Sequence, residues 1–451
     1  MQDQFTYTQF RLSDDHRTVY FEYTLRHDDT DYSLSEVIEF PVALLDTPEQ
    51  QRGLRALHIA LGVSYYKTFL PPEIVHPYAM DTQEVAFWND IWQHGLGEFL
   101  YINKLPVERV AQFKAQDGTL FEGTSEGAAK DEAILGIGGG KDSIVAGELL
   151  KDLGVTVSGF VMATGEQLGQ TASVAEVMDV NLHAIKRQID TQLLDLQKMP
   201  GAYSGHVPIS LIFALVGTTL AIANRSAYVV VANEASASIP RIMWEDRAVN
   251  HQWSKSFGFE KDLQHFIQEK ITPEITYFSA VRQLTSIGVA KVFTRLPQYF
   301  EVFTSDNFVF RMDPARRPAG RWSLESPKSL SSYLLLAPWL SNEEVQRIFG
   351  IDFMNEDSLE TLFLELTGIE GEPPLDCVGT VEELLLSVNL LGAADRYTDT
   401  KLMHIARERG VIQDRDWQEE LRTLLHLSSE EALPEVLRQK ITDYLQERTQ
   451  I

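Results

Sequence analysis

The stretch Ala133-Ile-Leu-Gly-Ile-Gly-Gly-Gly-Lys-Asp-Ser143 decides the reading of this chain. Its apolar start predicts a strand over Ala133–Ile137. Asp142–Leu153 then predicts a helix, with Gly154 just past its end as C-cap. A glycine turn running into a helix N-terminus is an anion site, because the first N–H groups lack partners and the helix dipole is positive there. Consecutive glycines also let the backbone approach phosphate oxygens that side chains would hold off. Two phosphate-loop spacings fail. A P-loop needs a glycine where Leu135 stands and a Ser or Thr where Asp142 stands. A dinucleotide fingerprint begun at Gly136 needs a glycine where Lys141 stands. A bare structural turn is the alternative, but three glycines followed by Lys-Asp-Ser favour the anion site.

Outward from this loop, Val155–Ala163 reads as a second strand, Thr171–Asp179 as a helix and Asn181–Gln188 as a third strand. Val207–Ala223 is a long helix leading to a fourth strand, Tyr228–Ala232. Strands alternating with helices predict an α/β fold, a doubly wound parallel sheet. The first forty residues alternate instead in short runs (Phe5–Phe10, Val19–Leu25, Val37–Phe40), the pattern of an antiparallel meander. A helix follows, capped by Thr47, with Leu54, Leu57, Ile59, Ala60 and Leu61 on its apolar face; Gly62–Lys67 ends it. Beyond Glu260 the pattern is mainly helical, with loops at Asp313–Gly320 and Gly371–Pro374. The expected division is 1–130, a meander plus helices; 131–260, the α/β core; and 261–451, a helical substrate or lid region.

The 451 residues are 44% hydrophobic and 23% charged, an ordinary globular composition. Cys377 is the only cysteine, which excludes an internal disulfide. The net charge of −26 opposes broad nucleic-acid binding, which rests on phosphate neutralisation by Lys and Arg. The longest apolar stretch, Ile209–Ile222, is interrupted by Gly217, Thr218 and Thr219 and reads as a buried helix, not a membrane span. Met1–Phe5 lacks the features of a signal peptide, so a soluble, cytoplasmic protein is expected. The oligomeric state is not legible.

Gly138-Gly-Gly-Lys-Asp-Ser143 resembles the Ser-Gly-Gly-x-Asp-Ser signature of PP-loop ATP pyrophosphatases, with Gly138 in place of the first serine. The resemblance implies that Gly138, Gly139, Gly140, Lys141 and Ser143 hold the pyrophosphate end of ATP and that Asp142 helps hold Mg2+. It also implies that adenine meets the backbone of Val161–Ala163, around Met162. Further segments are Gly62–Lys67, Gly95–Phe99, Ala232–Ala237, Val249–Ser256, Ser305–Phe308, Arg321-Trp322, Pro327-Lys328 and Asp376–Glu383. Their joint order resembles the bacterial UDP-N-acetylmuramoyl-L-alanyl-L-glutamate epimerase family. That implies a UDP-linked muramoyl dipeptide substrate whose terminal glutamate is activated as an acyl-adenylate and inverted by proton exchange. Other PP-loop reactions (tRNA-modifying or amide-forming) and a non-catalytic nucleotide-binding relative are the alternatives.

Candidates for catalysis are Lys141, for charge on the phosphates, and Glu234, His251, Lys255 and Cys377, for proton transfer. His251 and Lys255 are four apart and would share the face of a helix. Glu234 follows a strand, where α/β ligand sites lie. Cys377 serves as base or nucleophile if its pKa is depressed. His206 either joins them or packs, and Tyr65 and Tyr66 belong to the core. Ser323, Ser326 and Ser329 stand where the resemblance places cysteines at a zinc spacing. With Asp306 the one obvious donor left, no zinc is expected.

Overall fold

The computed structural model describes residues 2–117, 121, 129–162, 166–310, 317–414 and 416–450. Ala163 and part of the Asp313–Gly320 loop lie outside the described residues. Eleven strands are present among them: β1 (Gln4–Leu12), β2 (Thr18–His27), β3 (Thr30–Glu39), β4 (Glu73–Val75), β5 (Lys130–Gly136), β6 (Thr156–Met162), β7 (Asn181–Gln188), β8 (Ser226–Val231), β9 (Ile242–Trp244), β10 (Arg247–Val249) and β11 (Thr276–Ser279). β9 and β10 form a hairpin of their own. The other nine make one mixed sheet, in the order β11-β8-β5-β6-β7-β3-β2-β1-β4.

The run from β11 to β7 is parallel throughout. The expected meander is present as β1–β3, and it joins the same sheet: β3 pairs antiparallel with β7, Val37 opposite Gln188. The sheet therefore crosses residue 130 without a break, and the helix Phe257–Phe266 crosses residue 260. β11 is a strand not foreseen within the stretch beyond Glu260, which is mainly helical as read. It is only four residues long, too short for a periodic signal, and pairs parallel with β8.

Alternation along the strands feeds two apolar layers. Ala133 and Leu135 of β5, Val230 of β8 and Phe278 of β11 pack with the helices Lys141–Asp152, Glu166–Met178 and Ser286–Phe293. Ile134, Val229 and Tyr277 face the other way, onto Pro48–Tyr66, Ile209–Asn224 and Phe257–Phe266. The C-terminal helices Pro327–Leu336, Val381–Ala393, Lys401–Glu408 and Glu435–Thr449 extend the first layer. No helix among the described residues is long and apolar enough to cross a membrane.

The helix Pro48–Tyr66 ends, as read, within Gly62–Lys67, with Lys67 as its C-cap, but it departs from the sequence reading in two ways. It is buried along nearly its whole length, and the Thr47 side chain makes no capping bond. Gly62 lets the helix approach the sheet. A Cβ there would fall 2.5 Å from Cε1 of Tyr7. The tyrosine hydroxyls of β1 and β2 fix the approach: Tyr7 donates to the carbonyl of Ile59 and Tyr23 to that of His58, each at 3.0 Å.

One buried ion pair ties the sheet ends together. Arg282 and Glu260 are both fully buried, with Arg282 Nε donating to Glu260 Oε2 at 2.8 Å. Arg282 also donates to the carbonyls of Glu234 (2.8 Å) and Lys255 (2.6 Å), and Glu260 Oε1 accepts the N–H of Ser279 at 2.9 Å. Replacing one partner of such a pair leaves a bare buried charge. Arg282→Met is therefore expected to cost about 3–5 kcal/mol in urea unfolding. A loss under about 1 kcal/mol would show that Glu260 finds another partner or neutralises without penalty.

Candidate active site

A cavity of about 400 Å³ opens where the C-terminal ends of β5, β6 and β8 meet. Chain order reverses at β5: β6 and β7 lie to one side of it, β8 and β11 to the other. At such a reversal two crossovers leave in opposite directions and open a crevice.

The glycine loop forms one wall. The helix Lys141–Asp152 starts directly after Gly140, and Gly139 turns the chain with φ +86°. The loop is braced from outside, because the N–H of Thr304 donates to the carbonyl of Gly139 at 3.0 Å. A Cβ on Gly140 would lie 3.2 Å from Ser305 Oγ, whereas one on Gly138 would meet nothing within 4 Å among the described residues. Ser143 Oγ donates to the carbonyl of Gly140 at 3.0 Å. Gly138, Gly140, Asp142, Ser143 and Met162 line the cavity; Gly139 and Lys141 sit behind it. Lys141 Nζ is buried against Asp142 Oδ1 at 2.7 Å. Burial works against its charge, but Asp142, Glu234 and Glu383 outweigh burial and hold its pKa above the ordinary lysine value.

The opposite wall carries three of the candidates. Lys255 Nζ donates to Cys377 Sγ at 3.3 Å, and a ring nitrogen of His251 lies within 4.8 Å of the same sulfur. His251 and Lys255 are not on an α-helix. His251 lies in a turn and Lys255 ends the 3-10 turn Trp253–Lys255, so Cys377 gathers them where helical spacing was expected to. Burial pushes the Cys377 thiol up, yet Lys255, Lys328 and His251 bring it down to about 7. The Cys377 charge raises Lys255 in return. Burial lowers His251, but the neighbouring Cys377 and the bonded Glu98 lift it to about 9. Near neutral pH the thiol is therefore close to its midpoint, with the thiolate form favoured by the cations beside it.

The remaining candidates fall around this core. His206 lines the cavity with its ring centroid 4.8 Å from that of His251, and burial takes it down to about 4. Glu234 is buried behind the cavity, where its Oε1 accepts from Ser286 Oγ at 3.1 Å. Tyr65 and Tyr66 are fully buried and accept backbone N–H groups from Asp190 and Ala111. Ser329 Oγ donates to Asp306 Oδ2 at 3.0 Å and accepts the N–H of Ser323, while Asp306 Oδ1 accepts the N–H of Phe308. Sequence reasoning gave no role to Glu98, Ser305 or Asn307, or to Lys328, which lines the cavity and lowers the thiol. Each gains its position only through distant packing.

Fold and site together define an α/β protein with a glycine loop and a cysteine–lysine–histidine cluster facing each other across one cleft. The MurL N-terminal domain profile matches residues 1–280 and the MurL C-terminal domain profile matches residues 302–422. The chain belongs to the MurL family. It is 31% identical to the UDP-N-acetyl-alpha-D-muramoyl-L-alanyl-L-glutamate epimerase of Salinispora tropica over 406 residues, covering 89% of this chain and 87% of the relative. The protein of the same name from Micromonospora sp. is 31% identical over 408 residues, 89% of each chain. That of Xanthomonas oryzae pv. oryzae is 30% identical over 396 residues, covering 87% of this chain and 86% of the relative. No solved structure matches.

Cys377 alkylation by iodoacetamide is expected to rise with pH about an inflection near 7. Lys255→Met removes a cation from the thiolate and is expected to move the inflection upward. An inflection near the ordinary thiol value in both proteins would contradict the cluster's electrostatics.

Proposed function

We propose that this chain is an ATP-dependent epimerase that inverts the terminal L-glutamate of UDP-N-acetylmuramoyl-L-alanyl-L-glutamate in peptidoglycan precursor synthesis. The names of the relatives support the substrate. The observation that carries the chemistry is the opposition of the glycine loop and the Cys377–Lys255–His251 cluster across one cavity. A cytoplasmic location is part of this reading.

Activation comes first in this scheme. The glutamate α-carboxylate attacks the α-phosphorus of ATP, pyrophosphate leaves, and the acyl-adenylate forms. A free carboxylate resists carbanion formation beside it; an acyl phosphate mixed anhydride does not, so the α-proton becomes removable. Cys377, as thiolate, takes that proton. Lys255 and His251 offset charge that develops nearby, a proton returns to the opposite face, and water releases AMP.

The doubly wound, PP-loop type of fold is part of the proposal. The parallel strand order and the crevice at its reversal support it. The loop itself fits a nucleotide's phosphates. Among the described residues, the space beside Gly138 is open and the buried Ser305 Oγ beside Gly140 has no hydrogen-bond partner, while the N-terminus of a twelve-residue helix offers its amides there. Gly138, Gly139, Gly140 and Ser143 would bind the pyrophosphate end, Lys141 would balance its charge from behind, and Met162 would border adenine. Asp142, whose carboxylate reaches the cavity, would hold Mg2+, which neutralises phosphate charge when bound.

Incubation with ATP, Mg2+ and the UDP-linked dipeptide is expected to release AMP and pyrophosphate in step with appearance of D-glutamate and uptake of solvent deuterium. Cys377→Ala is expected to lower inversion at least about 100-fold, the scale of a lost general base. AMP release without inversion would move the substrate elsewhere; failure of the wild type to bind ATP would sink the reading.

A further inference from the structure

Behind His251, and outside the cavity lining, stands Glu98 on the short helix Gly97–Asn103. Its Oε2 bonds Nδ1 of His251, and both side chains are largely withdrawn from water, 14% and 21% exposed. His206 Nδ1 stands 3.8 Å from the same oxygen. A ring nitrogen of His251 in turn lies within 4.8 Å of Cys377 Sγ. Carboxylate, imidazole and thiol thus form a row across three segments far apart in the chain. A nucleophile or base, its partner and an orienting third group are the recurring parts of an activated side chain. We propose that Glu98 is a positioning residue: it fixes the ring and the positive charge of His251, and through His251 it keeps Cys377 as the thiolate that exchanges the substrate's α-proton. The exchange itself rests on the reading of the reaction given above; the row of three groups does not.

The bland alternative is that Glu98 and His251 are a structural ion pair with no effect on the thiol. Direct Coulomb action and action through His251 differ in sign, which separates the cases. Removing a carboxylate near a thiolate favours the thiolate directly and lowers the thiol pKa. Acting through His251 does the reverse: burial neutralises the imidazolium, and the thiolate loses a cation. The groups facing the thiol are Lys255, Lys328, His251, Arg241 and Asp376, whose carboxylate accepts the Cys377 N–H. Those facing His251 are Glu98, Asp376, Cys377 and His206. His206 is held neutral by burial, by nearby His251, Lys67 and Lys255, and against the pull of Glu98. The Glu98 charge therefore acts on His251.

Cys377 is the only cysteine, so alkylation of the full-length protein by iodoacetamide reads its thiolate without substrate or ATP. Wild type, E98Q, H251Q and the double variant are compared across pH. E98Q is expected to raise the inflection by roughly one pH unit, and H251Q to raise it at least as far. The double variant should match H251Q alone, because the two residues act in series. An unchanged or lowered inflection in E98Q overturns the proposal, as does an equal further shift when E98Q is added to H251Q. Should E98Q fail to fold, H251Q still decides: an inflection that does not rise means that His251 is no link to the thiol. With substrate, E98Q is expected to lower kcat while KM stays within about twofold. If the wild type shows no epimerisation while the alkylation shifts hold, the reaction was misread and the positioning role stands.

Discussion

The Arg282–Glu260 pair is the constraint on which the cleft depends. A guanidinium without solvent contact must find acceptors for its N–H groups, and here they come from three separate segments. The carbonyl of Glu234 belongs to the exit of β8, that of Lys255 to the turn below the cavity, and the carboxylate of Glu260 to the helix beside β11. Desolvating two charges is costly, and such pairs seldom add net stability against an apolar replacement. Their use is geometric. A shift of any one segment would strand a buried donor, so Lys255 is held at a fixed height above the sheet.

That fixed height matters because the site works by charge in a protein that is strongly acidic overall. The chain carries −26, yet Lys255, Lys328 and His251 converge on a single sulfur. Partial burial keeps water from screening them, so each cation acts on the thiol more strongly than it would at the surface. The same burial would favour a neutral thiol if the cations were absent. Cys377 thus owes its charge to neighbours from residues 251, 255 and 328, none adjacent to it in sequence. In the proposed reading the glycine loop would work by a different means, presenting backbone amides that need no titration at all.

The contrast explains what could be read from the sequence. The loop, the strand before it and the helix after it are local: apolar run, glycines and helix start follow in thirteen residues or so, and β7 was legible to its exact ends, Asn181–Gln188. Cys377, His251 and Lys255 were legible as candidates by residue type, but not as one cluster, since the expected helical spacing plays no part in bringing them together. Glu98 and Arg282 were not legible in their roles. A glutamate in a short helix and an arginine after a four-residue strand look like surface residues until the fold buries them. Gly62 shows the same limit: the segment it opens was legible as the end of the helix, but only the position of Tyr7 reveals Gly62 as a point of contact between helix and sheet.

The central claim is that one cleft both activates the glutamate carboxylate and moves its neighbouring proton. The most direct test follows oxygen. Substrate labelled with 18O in the glutamate α-carboxylate is turned over with ATP in unlabelled water, and the AMP is analysed by mass spectrometry. An acyl-adenylate hydrolysed at its acyl carbon leaves one carboxylate oxygen on phosphorus, so AMP should carry a single 18O for each molecule formed. Inverted product accompanied by unlabelled AMP, with the label kept in the peptide, would contradict the account.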